Sequence, residues 1–224
     1  MPPEGVTIPT GGRAIQMPAW RSPRAWATLL LVTIVGVGCD LLTKSWAFER
    51  VASEPVELHH EEIAGNPGYR LPWHEGIRVL PADLLDFRLV LNHGAVFGIG
   101  QHRRAVFVVF TVIAIVVAVS VFGWWTTDRA RWAHIGIGLV LAGGLGNLYD
   151  RLAFGAVRDF LHMTPRCHLP WGLHWPGGNA ELFPWVFNVA DVLLLAGMAT
   201  LLFTANRPEA SCSESQPSAA AENR

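Results

Sequence analysis

The sequence predicts a mainly α-helical membrane protein, with four transmembrane helices and a small β-sheet on the extracytoplasmic side. Of its 224 residues, 51% are hydrophobic and only 16% are charged. The mean hydropathy is +0.30. Such a chain is too apolar for a typical soluble domain and too long for a single anchor. Its net charge of −1 argues against a nucleic-acid partner.

Four segments are long and apolar enough to cross a bilayer, which takes about 20 mostly apolar residues in a helix. The predicted spans run from about Ala25 to Phe48, Ala105 to Thr127, Trp132 to Tyr149 and Phe183 to Ala205. The second span contains no Asp, Glu, Lys or Arg, and the fourth contains only Asp191 among these types. The alternative for any one of these segments is a buried helix of a soluble protein.

Flanking arginines predict the orientation, because Lys and Arg accumulate on the cytoplasmic side of a membrane. The arginines on the predicted cytoplasmic side are Arg13, Arg21, Arg24, Arg129, Arg131 and Arg207. Both termini are therefore predicted to be cytoplasmic, and the loops at about 49–104 and 150–182 are predicted to be outside. Arg103 and Arg104 argue the other way, but they end a long loop, where the rule is weak.

The ends of the chain are predicted to be disordered cytoplasmic tails on either side of a single membrane domain, residues 24–206. Residues 1–23 are rich in Pro and Gly, and residues 207–224 are rich in Ser, Ala and Glu. Gly-Val-Gly-Cys39 after an apolar run also fits a secretory or lipoprotein signal sequence. We predict instead that the first span continues past Cys39, which would be an ordinary buried thiol.

The outer loops predict a small sheet. Residues 76–80 and 86–92 have the composition of short strands, and apolar residues alternate in the second of them. The stretch at about 161–182 is rich in Pro and Gly and is predicted to be irregular. Trp171 and Trp175 within it suit the headgroup region of a bilayer.

Two carboxylates carry the predicted chemistry. Asp159 follows the third span and Asp191 lies inside the fourth, so the loop between the spans can bring them face to face. Two carboxylates a few ångströms apart cannot both ionise, and they share one proton. The ionised one can then deprotonate water while the protonated one polarises a carbonyl. This chemistry needs neither a metal nor a cofactor, and none is predicted.

Polar residues near these acids are candidates for support. Asn188 lies three residues before Asp191, which would place both on one helix face. Asn147, Asp150 and Arg151 would share a face of the third span. For Asp150 and Arg151, a charge cluster that fixes the helix position and a supporting role in the site remain equally open.

The first span contributes Asp40 and Lys44, which are four residues apart and can pair in place. A structural ion pair is favoured for them over direct catalysis. In the third span, Gly138, Ala142 and Gly146 recur every four residues. Such a stripe of small residues lets another helix approach closely.

Competing chemistries are less well supported. His60-Glu61 begins like a zinc-protease helix, but Ala64 stands where the second histidine should be. A metal site could be assembled from His162, Cys167, His168 and His174, although their spacing matches no standard pattern. A transporter that uses Asp191 as a proton or ion site is the alternative function, but the chain shows no inverted repeat.

Five blocks of sequence occur in an order that resembles the lipoprotein signal peptidase family, also called signal peptidase II. The blocks are Asp40-Leu-Leu-Thr-Lys44, Asn92-His-Gly-Ala-Val-Phe-Gly98, Gly143-Gly-Leu-Gly-Asn-Leu-Tyr-Asp-Arg151, Val157-Arg-Asp-Phe160 and Phe187-Asn-Val-Ala-Asp191. The resemblance implies an aspartic endopeptidase of the bacterial inner membrane. Such enzymes remove the signal peptide from diacylglyceryl-modified prolipoproteins, cutting on the amino side of the lipidated cysteine.

The resemblance also implies roles for single residues. Asp159 and Asp191 would be the catalytic pair. The residues that would brace the pair, shape the cleft or hold substrate are Asp40, Lys44, Asn92, Gly94, Asn147, Asp150, Arg151, Asn188 and Ala190. An outer sheet and a neighbouring flexible helix would cradle the substrate. The partners implied are lipid-modified prolipoproteins and membrane lipids. The second outer loop and residues 54–78 are longer than the family pattern leads us to expect.

Overall fold

In the part of the chain that the structure describes, the fold consists of four long helices capped at one end by a small sheet. The computed structural model describes residues 16–66, 69–81, 84–94 and 104–206. The helices are α1 (Pro23–Arg50), α2 (His60–Gly65), α3 (Arg104–Ser120), α4 (Arg131–Ala153) and α5 (Val189–Ala205). The strands are β1 (Ile77–Leu80), β2 (Leu85–Asn92), β3 (Val157–Met163) and β4 (Val186–Phe187). A single π-helical turn, Val121–Trp125, extends α3.

Helix α4 lies at the centre of the bundle and contacts α1, α3 and α5. Its predicted stripe of small residues is confirmed as a surface of close approach to α1. A Cβ atom added at Gly138 would lie 3.0 Å from Val32 Cβ, and one added at Gly36 of α1 would lie 2.6 Å from Ala142 Cβ. Small residues therefore bring the polar residues of α1 and α4 together in the bundle interior.

A second row of glycines lets α5 approach α4. A Cβ atom on Gly143 would overlap the carbonyl oxygen of Ala190 and lie 2.7 Å from Leu194 Cγ. We expect Gly143→Ala to destabilise the fold by about 1–3 kcal/mol, because a packed interface cannot absorb an extra methyl group. Gly144→Ala is the matched control, since the atom nearest to its new Cβ is Ile115 Cγ1 at 3.8 Å. In detergent, the midpoint of thermal unfolding should be lower for Gly143→Ala and unchanged or slightly higher for Gly144→Ala.

Two helical segments, Pro23–Arg50 and Arg104–Trp125, are long and apolar enough to cross a membrane, and Val189–Ala205 is a shorter apolar helix. Helix α3 has no fully buried residue. Val109, Phe110 and Val116 are each more than half exposed. Arg104 at its start is the only charged residue of this helix, and a helix with this much exposed apolar surface is suited to a lipid environment rather than to water.

The sheet is antiparallel, with the strand order β1-β2-β3-β4. The two predicted strands are confirmed as β1 and β2. The sequence did not predict β3 and β4, which add the strand that carries Asp159 and a short strand before α5. Phe48 at the end of α1 packs with Leu89 of β2 and Phe160 of β3 in a buried apolar cluster. The sheet is thereby fixed to the ends of the helices that hold the polar residues.

Two predictions about the helices need correction. Helix α5 begins at Val189 rather than near Phe183, because residues 186–187 pair with β3 and Asn188 caps the helix. Cys39 is exposed rather than buried. The next residue, Asp40, occupies the buried face of α1, which turns Cys39 towards the outside of the bundle.

Ordered structure also begins before the predicted boundary at residue 24. Residues 17–19 run beside the segment after α3, with hydrogen bonds from Ala19 N to Thr126 O (2.9 Å) and from Asp128 N to Met17 O (2.9 Å). The remaining parts of the predicted tails, residues 1–15 and 207–224, lie outside the described residues, as does the end of the predicted block that runs to Gly98.

Candidate active site

Asp191 lies in the first turn of α5 and is held there by a reciprocal cap. The side-chain Oδ1 of Asn188 accepts a hydrogen bond from Asp191 N (3.1 Å), and Asp191 Oδ2 accepts one from Asn188 N (3.2 Å). Asn188 is therefore the residue that caps α5, and the two do not share a helix face as the sequence spacing predicted. A carboxylate at this position also interacts favourably with the positive end of the helix dipole.

Asp159 lies on β3 and is only 1% exposed. Its Oδ1 accepts a hydrogen bond from Asn188 Nδ2, and its Oδ2 accepts one from Asn92 Nδ2 (3.1 Å). Asn188 Nδ2 also donates to Asn147 Oδ1 (3.2 Å), and Asn147 Nδ2 donates to Asp191 Oδ1 (2.9 Å). Two amide side chains thus connect the two carboxyl groups, and the structure brings together the acids that the sequence predicted to meet.

The protonation of Asp159 follows from its surroundings. Burial raises the pKa of this carboxyl from 3.8 to about 8, and the negative charge of Asp191 adds to the rise. Hydrogen bonds from Asn188 and Asn92, which favour the ionised form, oppose the rise in pKa without cancelling it. Asp159 therefore holds a proton at neutral pH, whereas Asp191 is less deeply buried.

A buried lysine supports the amide link. Lys44 is fully buried, and its Nζ donates to Asp40 Oδ2 (2.7 Å) and Asn147 Oδ1 (3.0 Å) and lies 3.2 Å from Asp150 Oδ2. The three donors of the ammonium group thus have three acceptors. Because Asn147 Oδ1 faces Lys44, the amide must turn its Nδ2 towards Asp191. The predicted Asp40–Lys44 ion pair is confirmed.

Asp40 also connects α1 to α5, since its Oδ1 accepts a hydrogen bond from Ala190 N (2.8 Å). Gly146 provides the room for this carboxylate, because a Cβ atom there would overlap Asp40 Oδ2. The ion network thus places the first turn of α5, and with it Asp191, relative to the other two helices.

Asp150 and Arg151 have different partners and do not form one cluster. Asp150 is fully buried and binds Arg158, with Arg158 Nη2 2.8 Å from Asp150 Oδ1 and Arg158 N 3.0 Å from Asp150 Oδ2. Sequence reasoning missed Arg158. The one available signal was its place beside Asp159 on the predicted Val157–Phe160 block, where a strand would turn the two side chains to opposite faces.

Arg151 connects α4 to the turn after β2. Its Nη1 donates to Asn147 O and its Nη2 donates to Gly94 O, both at 3.3 Å. Gly94 N in turn donates to Asn92 Oδ1 (3.0 Å), so Asn92 is oriented to present its Nδ2 to Asp159. The guanidinium group brings a positive charge close to both acids without pairing with either carboxylate at hydrogen-bond distance in the described residues.

The residues considered for a metal site are arranged differently. His60 lies between Ala153 O (3.2 Å) and Arg104 Nη1 (3.1 Å), and His162 Nε2 lies 3.3 Å from Glu181 Oε2. Within the part of the chain that the structure describes, no three His, Cys, Asp or Glu residues are grouped so that they could hold a metal ion.

Comparisons with known proteins place this geometry in a family. The family model described as Signal peptidase (SPase) II matches residues 32–207. A lipoprotein signal peptidase of Rhodopseudomonas palustris is 34% identical over 177 residues, covering 78% of this chain and 88% of that protein. One from Clostridium novyi is 28% identical over 172 residues, covering 77% and 93%.

A solved structure described as a bacterial membrane enzyme shares the fold. It has a TM-score of 0.62 at 20% identity and covers 91% of this chain and 99% of that one. The family model extends from α1 through α5 and includes every residue that the geometry assigns to the site. The chain belongs to the signal peptidase II family.

Proposed function

We propose that this protein is a membrane aspartic endopeptidase that removes the signal peptide from diacylglyceryl-modified prolipoproteins, cutting on the amino side of the lipidated cysteine. The observation that carries the proposal is the amide link from Asp159 through Asn188 and Asn147 to Asp191. Relatives of this chain are named lipoprotein signal peptidase, which supports the substrate class.

In the proposed mechanism the two acids have different tasks. The carboxylate of Asp191 takes a proton from a water molecule as the water oxygen attacks the scissile carbonyl carbon. The proton on Asp159 is shared with the carbonyl oxygen and stabilises the charge that develops there. Asp191 then returns its proton to the leaving nitrogen as the C–N bond breaks. The products are a carboxylic acid on the signal peptide and a free amine on the lipidated cysteine.

We further propose that α1, α3, α4 and α5 cross the bacterial inner membrane, with both termini in the cytoplasm and the sheet outside. The contact between residues 17–19 and 126–128 gathers Arg21, Arg24 and Arg129 at the end of the bundle opposite the sheet, which fits the orientation rule for basic residues. A diacylglyceryl group holds its cysteine near the membrane surface, because each buried methylene contributes about 0.8 kcal/mol.

Cleavage of a lipidated precursor peptide tests the proposal. The purified full-length protein is incubated in detergent with a precursor peptide that carries diacylglyceryl on its cysteine, and the products are identified by mass. We expect a single cut before the cysteine. The same peptide without the lipid is the control and should be cut far more slowly. Products from a cut elsewhere, or none at all with a folded enzyme, would contradict the assignment.

The rate should depend on pH through Asp159. The protonated form is the active one, so cleavage is retained below the raised pKa and lost as the pH increases through about 8. Asn92→Ala removes a hydrogen bond that lowers this pKa, and it should move the alkaline limb to higher pH. The measurement is kcat/KM against pH for both proteins. A rate that rises through pH 8, or a limb that Asn92→Ala shifts downwards, would be inconsistent with Asp159 as the acid.

A further inference from the structure

The segment between β3 and β4, residues 164–185, folds as a separate hairpin on the outer side, here called the outer hairpin. Its two sides are joined by backbone hydrogen bonds from Leu182 N to Cys167 O (2.6 Å), Leu169 N to Ala180 O (2.8 Å) and Trp175 N to Asn179 O (2.8 Å). The indole Nε1 of Trp175 also donates to Glu181 O (3.0 Å). The outer hairpin has no regular strand, as its Pro and Gly content predicted, but these hydrogen bonds give it a defined shape.

Charge is confined to the base of the outer hairpin. Arg166 Nη2 lies 3.1 Å from Asp86 Oδ2 of β2, and Glu181 contacts His162 of β3. Residues 167–180 contain no Asp, Glu, Lys or Arg, and two histidines and one cysteine are their only titratable groups. The base is thus tied to the sheet by charged groups, whereas the part that projects carries no acidic side chain, lysine or arginine.

The tip presents apolar side chains outwards. Trp171 is 91% exposed and has a φ of +58°, and Leu173 is 55% exposed. A left-handed backbone at a residue other than glycine costs about 1 kcal/mol or more, and such strain persists only where the surrounding structure enforces it. Exposing an indole to water contributes nothing to folding. The tip is therefore shaped to contact an apolar or interfacial partner.

An aromatic series connects the outer hairpin to the start of α5. Ring centroids lie 4.7 Å apart for Trp175 and Trp185, 5.3 Å for Phe183 and Trp185, and 6.0 Å for Phe183 and Phe187. Phe187 ends β4 and directly precedes the cap of α5. The returning side of the outer hairpin thus joins the helix whose outward side chains, such as Leu195 (64% exposed), form part of the apolar surface of the bundle.

We propose that the tip of the outer hairpin, residues 170–173, inserts into the headgroup region of the outer leaflet and holds the sheet against the membrane. Tryptophan is favoured at the boundary between headgroups and acyl chains, and an uncharged Pro-Trp-Gly-Leu tip carries no group that opposes burial there. This contact rests on the proposed orientation in the membrane, not on the proposed cleavage. It would keep the catalytic acids at the depth at which a lipid-anchored peptide presents its scissile bond.

Tryptophan quenching tests the contact in vesicles that contain the full-length protein. Two quenchers are compared, namely lipids brominated near the top of the acyl chain and iodide in the water. The emission lost in Trp171→Tyr should be the part that brominated lipid quenches and iodide does not. Trp73→Tyr is the matched control, because Trp73 is 85% exposed but lies among the charged residues Arg70, Glu75 and Arg78. Its emission should be quenched by iodide and not by lipid.

Three outcomes would overturn the proposal. Quenching of Trp171 by iodide rather than by lipid would place the tip in water. If Trp171 is protected from iodide only when a precursor peptide is added, the partner of the tip is the substrate. If protection of Trp171 from iodide varies with protein concentration, and brominated lipid does not quench its emission, the partner is a second copy of the chain. None of these readings depends on cleavage, so the result stands even if the protein cuts no peptide.

Discussion

Asp159→Asn and Asp191→Asn should each slow cleavage by at least about a thousand-fold, the upper part of the range for a lost acid or base. An asparagine in place of Asp191 cannot take a proton from water, and one in place of Asp159 cannot supply a proton to the carbonyl oxygen. Both variants should remain folded, because the amide is similar in size to the carboxyl group. At Asp159 it also replaces a group that is already neutral at pH 7.

The measurement is the rate of product formation from the lipidated precursor peptide, together with the unfolding temperature of each variant in detergent. Asp86→Asn is the matched control, since Asp86 belongs to the same sheet and pairs with Arg166 away from the acids. It should retain activity within a few-fold of the wild type. Near-normal cleavage by either catalytic-pair variant, with the control also active, would show that these acids are not the catalytic pair.

Lys44→Met should have the largest effect on stability. Among the described residues, the change removes the only ion-pair partner of Asp40 and one of the two ion-pair partners of Asp150. Both carboxylates are fully buried. Removing one member of a buried ion pair costs about 3–5 kcal/mol, because an uncompensated charge stays in the interior. A large fall in the unfolding temperature is expected. An unfolding temperature equal to that of the wild type would mean that the cluster is hydrated or otherwise compensated.

The double variant Asp40→Asn/Lys44→Met separates stability from positioning. It removes one negative and one positive charge together, so part of the lost stability should return. The oxygen of Asn147 keeps the hydrogen bond from Asn188 but lacks the one from Lys44, so its amide is held less firmly towards Asp191. We therefore expect kcat to stay low while the unfolding temperature recovers and KM changes little. A double variant that is fully active would exclude a positioning role for Lys44.

Sequence reasoning predicted the helices of the bundle because each has a long apolar run, and it predicted β2 because its side chains alternate. It missed β3 for a physical reason. Residues 157–160 of β3 are all buried, with neighbours on both faces, so charged and apolar residues follow one another without the period of two. Arg158 was missed with it, because its partner Asp150 lies across a turn that Gly155 forms with a φ of +86°.

The residues of the candidate site could be predicted from the sequence, but the hydrogen bonds that join them could not. Spacing placed Asn188 and Asp191 on one helix, and apolar residues from Leu182 onwards favoured an early helix start. The structure instead ends β4 at Phe187 and caps α5 with Asn188. Only one polar residue, Asn188, separates the apolar strand from the apolar helix, so hydropathy alone does not mark the boundary. The pairing with β3, a contact distant in sequence, and the cap by Asn188 together fix it.

The junction between β4 and α5 at Asn188 couples the reaction to the surrounding lipid. One residue separates the last strand from the last helix, and that residue also carries the amide that reaches the other acid. A change in the tilt of α5, such as a thinner or thicker bilayer imposes, would change the distance between Asp191 and Asp159. Membrane thickness would then act on this enzyme as an adjustable part of its catalytic apparatus.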